Sequence, residues 1–441
     1  MKGLTREVVA EISRKKREPE WMLHARFMAL EAYERLSEPH YGPDLSEIAS
    51  AEIRPYVEPR TPMVGNWDEV PSEIRTIFEE LGIPEAEREG LAGVGAQYDS
   101  EMVYHHLKEQ VGRTGVVYLP MEEAVRDKKW GAVVREHFMK LVRAEEHKYA
   151  ALHGAVWSGG TFLYVPKGVR VEIPLQSYYR LNAPGAGQFE HTLIIVDEGA
   201  ELHYIEGCSA PKLNVANIHA GCVELFVQKN ARMKFSSVES WSKNMYNLNT
   251  KRALVKEGGV MEWVTGSFGA KVTMLYPCTV LEGEGARMEY TGVTFAGAGQ
   301  DLDTGAKAIH LGKNTCSVMD MRGLAKDGGR VMSRSLVKVA PGVEGVKAYA
   351  DCKTLILDEK SVAKAVPVID VQNDSAEVAH EASVGRLAEE QLMYLRARGL
   401  SEGAARGLLV RGFAGKVAKE LPVEYAMEMN NLMRMEMRGT G

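Results

Sequence analysis

Between Thr192 and Glu381 the chain returns to a turn at a near-constant interval. Small or polar turn residues fall at Gly199, Asn230, Gly258, Gly285 and Lys313, an even spacing that marks one coil of a repeat. The spacing then halves, with turns at Gly328, Glu344, Glu359 and Asp374. Units this short cannot bury an apolar face alone, and a chain that repeats them covers each unit with the next. The intervening runs LIIV, VELFV, ALVK, SLVKV, KTLILD and VPVIDV are short and rich in β-branched residues. Such side chains pack well on a pleated surface and lose rotamer freedom in a helix, so the repeat predicts strands. The expected fold is mainly β, a β-solenoid whose coils pack only against their neighbours.

The period is confined to the middle of the chain, and 441 residues leave room for two or three domains. Residues 1–36 read as helical, with Leu23, Phe27 and Leu30 on one face and Pro19 just before the start at Glu20. Prolines 39, 44, 55, 59 and 62 make the next segment an irregular connector. A short helix is expected at 71–83, then helical pieces alternating with a strand at 115–120, then a long charged helical stretch from Met121. Residues 1–150 thus form a helical or α/β domain and 151–381 the β core. The last part, 382–441, changes period and becomes helical. Leu387–Arg398 stops at Gly399, Ser401 caps a second helix, and Leu409, Phe413, Val417 and Leu421 line one stripe of it. Pro422 is the expected stop, followed by a third helix carrying Met427, Met429, Met433 and Met435. Those methionines suit either an adaptable partner surface or packing back on the domain.

Composition excludes several classes. A net charge of −6 gives no basic face for nucleic acid. No apolar run approaches the length of a membrane span, and the start has no apolar signal core. Five scattered cysteines without a CxxC argue against a disulfide framework and against a preformed zinc or ferredoxin-type site, so the expected setting is cytoplasmic with reduced thiols. There is neither a phosphate-binding GxxxxGK[ST] loop nor a GxSxG elbow, so ATP hydrolysis is not expected of this chain. His105, His106, His137 and His147 read as solvated surface rather than metal ligands. Asp301 and Asp303 are the best carboxylate pair for acid–base work, as in a β-helix enzyme acting on polysaccharide, although their DxDxG context favours a turn.

Two cysteines stand out. Cys208 lies in YIEGCSAP, at the end of an expected strand where Gly207 and Pro211 predict a turn, and Cys352 lies in AYADCKTLILD between Asp351 and Lys353. His380 and Glu381 follow Cys352 at close to one full coil of the repeat. Adjacent strands lie about 4.8 Å apart, so a thiolate, an imidazole and a carboxylate can converge on a patch suited to iron or a nascent iron–sulfur unit. Three ligands are too few to hold a cluster tightly and suit a transient one completed by a partner. Cys208 precedes Cys352 by about five coils, roughly 24 Å along the stack, too far for a disulfide. Traffic between the two needs a channel or a carrier.

At KKREPEWML, YVPKGVR, GQFEHTLIIVDEGAELHYIEGCSAP, DTGAKAIHLGKNT, VAHEAS, EEQLMYLRARGLSE and ELPVEYAMEMNNL the chain resembles the SufB/SufD family of the SUF iron–sulfur cluster assembly machinery, along nearly its whole length. The resemblance implies a right-handed parallel β-helix between an N-terminal domain and C-terminal helices that dock the ATPase SufC. The core is implied to pair with SufD or a second copy of itself. Cys208 is similar to the family's sulfur-accepting cysteine, receiving sulfur from a donor protein. Cys352 is similar to its cluster-building cysteine, with His380 and Glu381 as iron ligands. The cofactors implied are a transient iron–sulfur cluster and reduced flavin. Both cysteines favour a SufB-type scaffold over a SufD-type structural partner. Ala379 occupies a position that is acidic in many relatives.

Overall fold

The computed structural model describes residues 3–438 apart from positions 51, 60 and 422. Parallel strands build the first wall of a β-solenoid: Leu175–Arg180, Glu201–Ser209, Arg232–Ser240, Val260–Phe268, Arg287–Ala296, Cys316–Ala325, Lys347–Ile356 and Glu377–Arg386. The second wall runs through Gly160–Val165, His191–Val196, Cys222–Val227, Thr250–Val255, Cys278–Leu281, Asp301–His310, Arg330–Val339 and Val362–Val371. A third row of short strands, from Gly187–Gln188 to Val272–Leu275, gives the early coils a third side. Asp301–His310 fuses it with the second wall, its first residues pairing with Val272–Leu275 and its last with Cys278–Leu281. Later coils are therefore two-sided, with a tight turn at each edge. That change halves the turn interval while the coil length stays the same. At one edge the turns at Gly199, Asn230, Gly258, Gly285 and Asn314 all sit at φ between 55° and 68°. Only glycine or asparagine takes that left-handed conformation cheaply.

Register along the first wall is strict. Tyr204, Phe235, Trp263, Tyr290, Met319, Ala350 and His380 lie in one column of directly paired residues. Slipping by one residue would turn this whole buried column outward, which pins the register. Against it pack Ile194, Val196, Leu225, Val227, Ala253 and Val255 of the second wall, and together they form the main core.

The N-terminal region completes one end of the stack. Gly93–Tyr98 and Glu101–Leu107 form an antiparallel hairpin, turned at Asp99, whose first strand pairs in parallel with Leu175–Arg180. Sequence reading missed this hairpin, because VGAQY is too small and polar to show a strand's alternation. Val117–Pro120 is a strand as expected and pairs with Gly160–Val165. The long helix expected from Met121 is broken into Met121–Arg126, Trp130–His137 and Lys148–Val156. The break lets backbone N–H groups of Met139, Leu141 and Val142 donate to the buried carboxylate of Glu224. In Glu20–Arg35 the buried face is Met22, Arg26, Ala29 and Leu30 rather than the expected Leu23–Phe27–Leu30 stripe. Arg26 is fully enclosed because Glu18 pairs with it and the carbonyls of Ala155 and Trp157 accept two more of its N–H groups. His105 and His147 are not the solvated residues expected. Burial pushes both down to about 4, and His147 caps the following helix by accepting from Ala150 N.

The C-terminal helices Glu389–Ala397, Glu402–Glu420 and Val423–Arg438 lie where expected. Ser401 accepts from Ala404 N, while the stop assigned to Pro422 lies outside the described residues. The stripe of the second helix is Val410, Ala414, Val417 and Leu421, packed on Val238, Val264, Val293 and Leu324 of the first wall's outer face. Met429 and Met433 face inward there, whereas Met427 and Met435 are exposed. At the far end of the stack, Val362–Val371 and Glu377–Arg386 have no strand beyond them among the described residues, and Val368, Ile369 and Val384 are exposed. No helix among the described residues is long and apolar enough to cross a membrane.

Candidate functional site

The last two coils bring Cys352 and His380 together. Along a strand alternate side chains face opposite sides, so Ala350, Cys352 and Thr354 point into the solenoid, as do His380 and Ala382 one coil on. His380 is paired with Ala350 and Cys352 with Ala382. Both partners are small, which lets the imidazole lean along the wall until Nε2 is 3.6 Å from Cys352 Sγ. Cys352 is buried while His380 is half-buried, so the pair opens toward the uncovered end of the stack. Burial, and then the charges of Asp351 and Asp320, push the Cys352 thiol up to about 12. Those aspartates lie on the outer face, held by Lys353, Arg322 and Lys416. Glu381 does not join the pair. It follows His380 directly and alternates to the outer face beside Tyr349, so strand parity removes it from the expected three-ligand set.

Cys208 lies inside the other end of the solenoid. As expected it lies at the end of a strand, Glu201–Ser209, just before the chain leaves the wall, but Gly207 is inside that strand rather than in a turn, and is required there because a Cβ would meet the Tyr178 ring at 2.4 Å. Around the thiol stand Glu190, Glu206, His219, Glu239 and Lys251, all buried. Ligand atoms of Glu190, Cys208 and His219 lie within 4.8 Å of one another. His219 bonds Asn247 through Nδ1 at 2.8 Å and Glu190 through Nε2. Lys251 Nζ is 2.7 Å from Glu206 and 3.5 Å from Glu239. Burial raises the Cys208 thiol well above its ordinary range, and the three carboxylates add to the effect. A cavity of about 400 Å³ between the segment Leu36–Tyr41 and the second wall reaches Lys251, with Arg252, Cys278 and Lys307 also in its lining.

Between the cysteines runs a polar lane. The column in register with Cys208 continues through Glu239, Ser267, Thr294 and Gly323 to Thr354, which is next but one to Cys352. Thr294 shares a hydrogen bond of 2.7 Å with Thr304 across the interior. Ser267 Oγ, Glu190 Oε2 and Glu206 Oε2 are buried without a hydrogen-bond partner. Unsatisfied buried groups are costly and concentrate where a ligand or passing group is accommodated. The lane spans five strand-to-strand steps, about 24 Å.

Sequence reading missed the residues around Cys208, although the coil interval carries them. Glu239 lies one coil after Cys208, just as His219 lies one coil after Glu190 and Asn247 one coil after His219. Asp301 and Asp303 do share a face, but on a strand rather than a turn, and each is paired, with Arg330 at 3.1 Å and Arg334 at 2.7 Å. Carboxylates neutralised in this way do not form an acid–base pair.

The chain matches the SUF system FeS cluster assembly, SufBD core domain, over residues 179–413. It is 46% identical over 439 residues, covering 100% of this chain and 94% of the relative, to the iron–sulfur cluster assembly protein SufB of Bacillus subtilis. With the same coverage it is 45% identical to iron–sulfur cluster assembly SufBD family proteins of Staphylococcus epidermidis and Staphylococcus aureus. Similarity of this extent, joined to the solenoid and its two inward-facing cysteines, places the chain in the SufB/SufD family of iron–sulfur cluster assembly proteins.

Proposed function

We propose that this protein is a scaffold rather than an enzyme, accepting persulfide sulfur at Cys208 and building a transient iron–sulfur cluster at Cys352. The observation that carries the reading is the Cys352–His380 pair, 3.6 Å apart at the open end of the stack. A thiolate and an imidazole suit iron, and two ligands hold a cluster loosely enough to release it. The remaining ligands come from a partner covering the unpaired strands, either a SufD-like paralogue or a second copy of this chain.

The cavity beside Lys251 is the approach by which a sulfur-donor protein reaches Cys208. Attack by the Cys208 thiolate on the donor's outer sulfur exchanges one S–S bond for another with no net oxidation. Lys251 favours that thiolate against the surrounding carboxylates, and the polar lane leads the sulfur toward Cys352. The two electrons that turn persulfide sulfur into sulfide come from a reductant outside this chain. A SufC-like ATPase docks on the C-terminal helices, where Met393, Tyr394, Met427 and Met435 are exposed, and its cycle opens the stack. The five free cysteines fit a reducing cytoplasm.

Anaerobic reconstitution with ferrous iron and a persulfide donor tests this. Cys352→Ser is expected to abolish the cluster's visible absorption at unchanged circular dichroism. Cys208→Ser should lose persulfide-driven assembly and keep assembly from free sulfide. Full cluster yield in Cys352→Ser would instead favour a SufD-like structural role.

A further inference from the structure

The seam between the solenoid and the N-terminal helices holds ligand-type side chains that the assembly chemistry leaves unused. We propose that His153, His191 and Cys222 bind one thiophilic d¹⁰ metal ion in a buried site, three-coordinate Cu⁺ or Zn²⁺ with a water in its fourth position. His191 and Cys222 are directly paired residues on adjacent strands of the second wall, and both face outward. His153 reaches them from the helix Lys148–Val156. Each of the three is at most 1% exposed, and their ligand atoms lie within 4.8 Å of one another.

The second layer is what separates this trio from an ordinary buried cluster. His153 Nδ1 lies 2.9 Å from the carbonyl oxygen of Ala220, which only accepts, so that nitrogen carries the proton and Nε2 is free to ligate. His191 Nδ1 is 3.0 Å from His153 Nε2, and its other nitrogen faces Glu224 Oε2 at 3.2 Å without a well-aligned hydrogen bond. Metal-bound histidines typically give their second N–H to a carboxylate or a backbone carbonyl, and these two have one of each. Bond lengths of about 2.0–2.1 Å to nitrogen and 2.3 Å to sulfur need the two nitrogens to part by a few tenths of an ångström. Charge also closes: Zn²⁺ offsets the Cys222 thiolate and the Glu224 carboxylate. Phe138 and Trp157 shield the site from bulk solvent, their rings 4.3 Å and 6.1 Å from that of His191. Thiolate plus imidazole excludes the hard cations calcium and magnesium. The ion would tie the 138–143 loop, one helix and two coils into a single unit.

The test uses the full chain carrying Cys352→Ser and Cys208→Ser, so that metal at the assembly cysteines cannot contribute. The anaerobically purified protein is expected to hold about one equivalent of zinc or copper. After exchange it should bind one Co²⁺ with a near-ultraviolet thiolate charge-transfer band and visible ligand-field bands. Adding Cys222→Ser is expected to remove the charge-transfer band, and adding Glu224→Gln to weaken retention by about 10–100-fold while keeping the band when loaded. The Glu224→Gln result stands as the readout if the Cys222 variant fails to fold. No stoichiometric metal and no band with added Co²⁺, or a band that persists in the Cys222→Ser protein, overturns the proposal.

Discussion

The reactivity of Cys352 is set by its enclosure, and alkylation kinetics read it directly. Its thiol titrates near 12 in the folded chain against an ordinary value of 9.0, with burial the larger cause and Asp351 the next. At pH 8 an ordinary thiol is about one-tenth thiolate and Cys352 about one part in 10⁴, a thousandfold difference. A more basic thiolate is also a better nucleophile, by about twentyfold for a three-unit change at a Brønsted slope near 0.45. The net expectation is that iodoacetamide modifies Cys352 about fiftyfold more slowly in the folded chain than in the same chain in denaturant. Peptide mass spectrometry of timed, anaerobic samples gives the rate at this one residue. The rate should keep rising about tenfold per pH unit to beyond pH 10, where the unfolded chain has levelled off. Asp351→Asn should accelerate it at pH 8 by only part of the fiftyfold, since burial remains. The sign also bears on stability: a thiol whose folded value is raised favours the folded state below pH 9, and that contribution fades as pH climbs toward 12. A folded-state rate within threefold of the unfolded chain, or a plateau by pH 9.5, refutes the reasoning.

Three further outcomes are expected. Lys251→Met leaves Glu206 and Glu239 buried without their cation, a loss of about 3–5 kcal/mol that should lower the thermal midpoint by several degrees; adding Glu206→Gln should recover part of it, and an unchanged midpoint contradicts the role given to Lys251. Ile369→Lys places a charge on the open end of the stack, where this side chain is 52% exposed. It should weaken pairing of cores in sedimentation experiments without altering circular dichroism. Ser401→Ala removes the hydroxyl that accepts from Ala404 N and should weaken the helix Glu402–Glu420 by about 1 kcal/mol, seen as faster amide exchange in its first turn.

Most of the β core was legible before any coordinates, because a solenoid writes its geometry into the chain as a period. The same period pairs Cys352 with His380, one coil apart and on one face. It also contained Glu239 opposite Cys208, which simple addition of one coil length would have found. The N-terminal hairpin was not legible: its first strand is held by pairing to Leu175–Arg180, a segment far along the chain that meets it in the register Gly93↔Leu175, and its second strand by pairing to the first, not by any alternation of their own. Nor were the helix breaks around Glu224, which depend on a carboxylate presented from the second wall.

Residue order alone thus settled that this chain stacks coils and which residues recur at each level, since both follow from spacing along one dimension. It did not settle which side of the wall each recurrence faces. Glu381 sits next to His380 in the chain and on the opposite face in space, because a strand turns successive side chains through half a revolution. The same alternation sends Cys208 inward to a chamber of carboxylates and Cys222 outward to two histidines, a distinction that exists only once the strands are paired and the helices have closed over them.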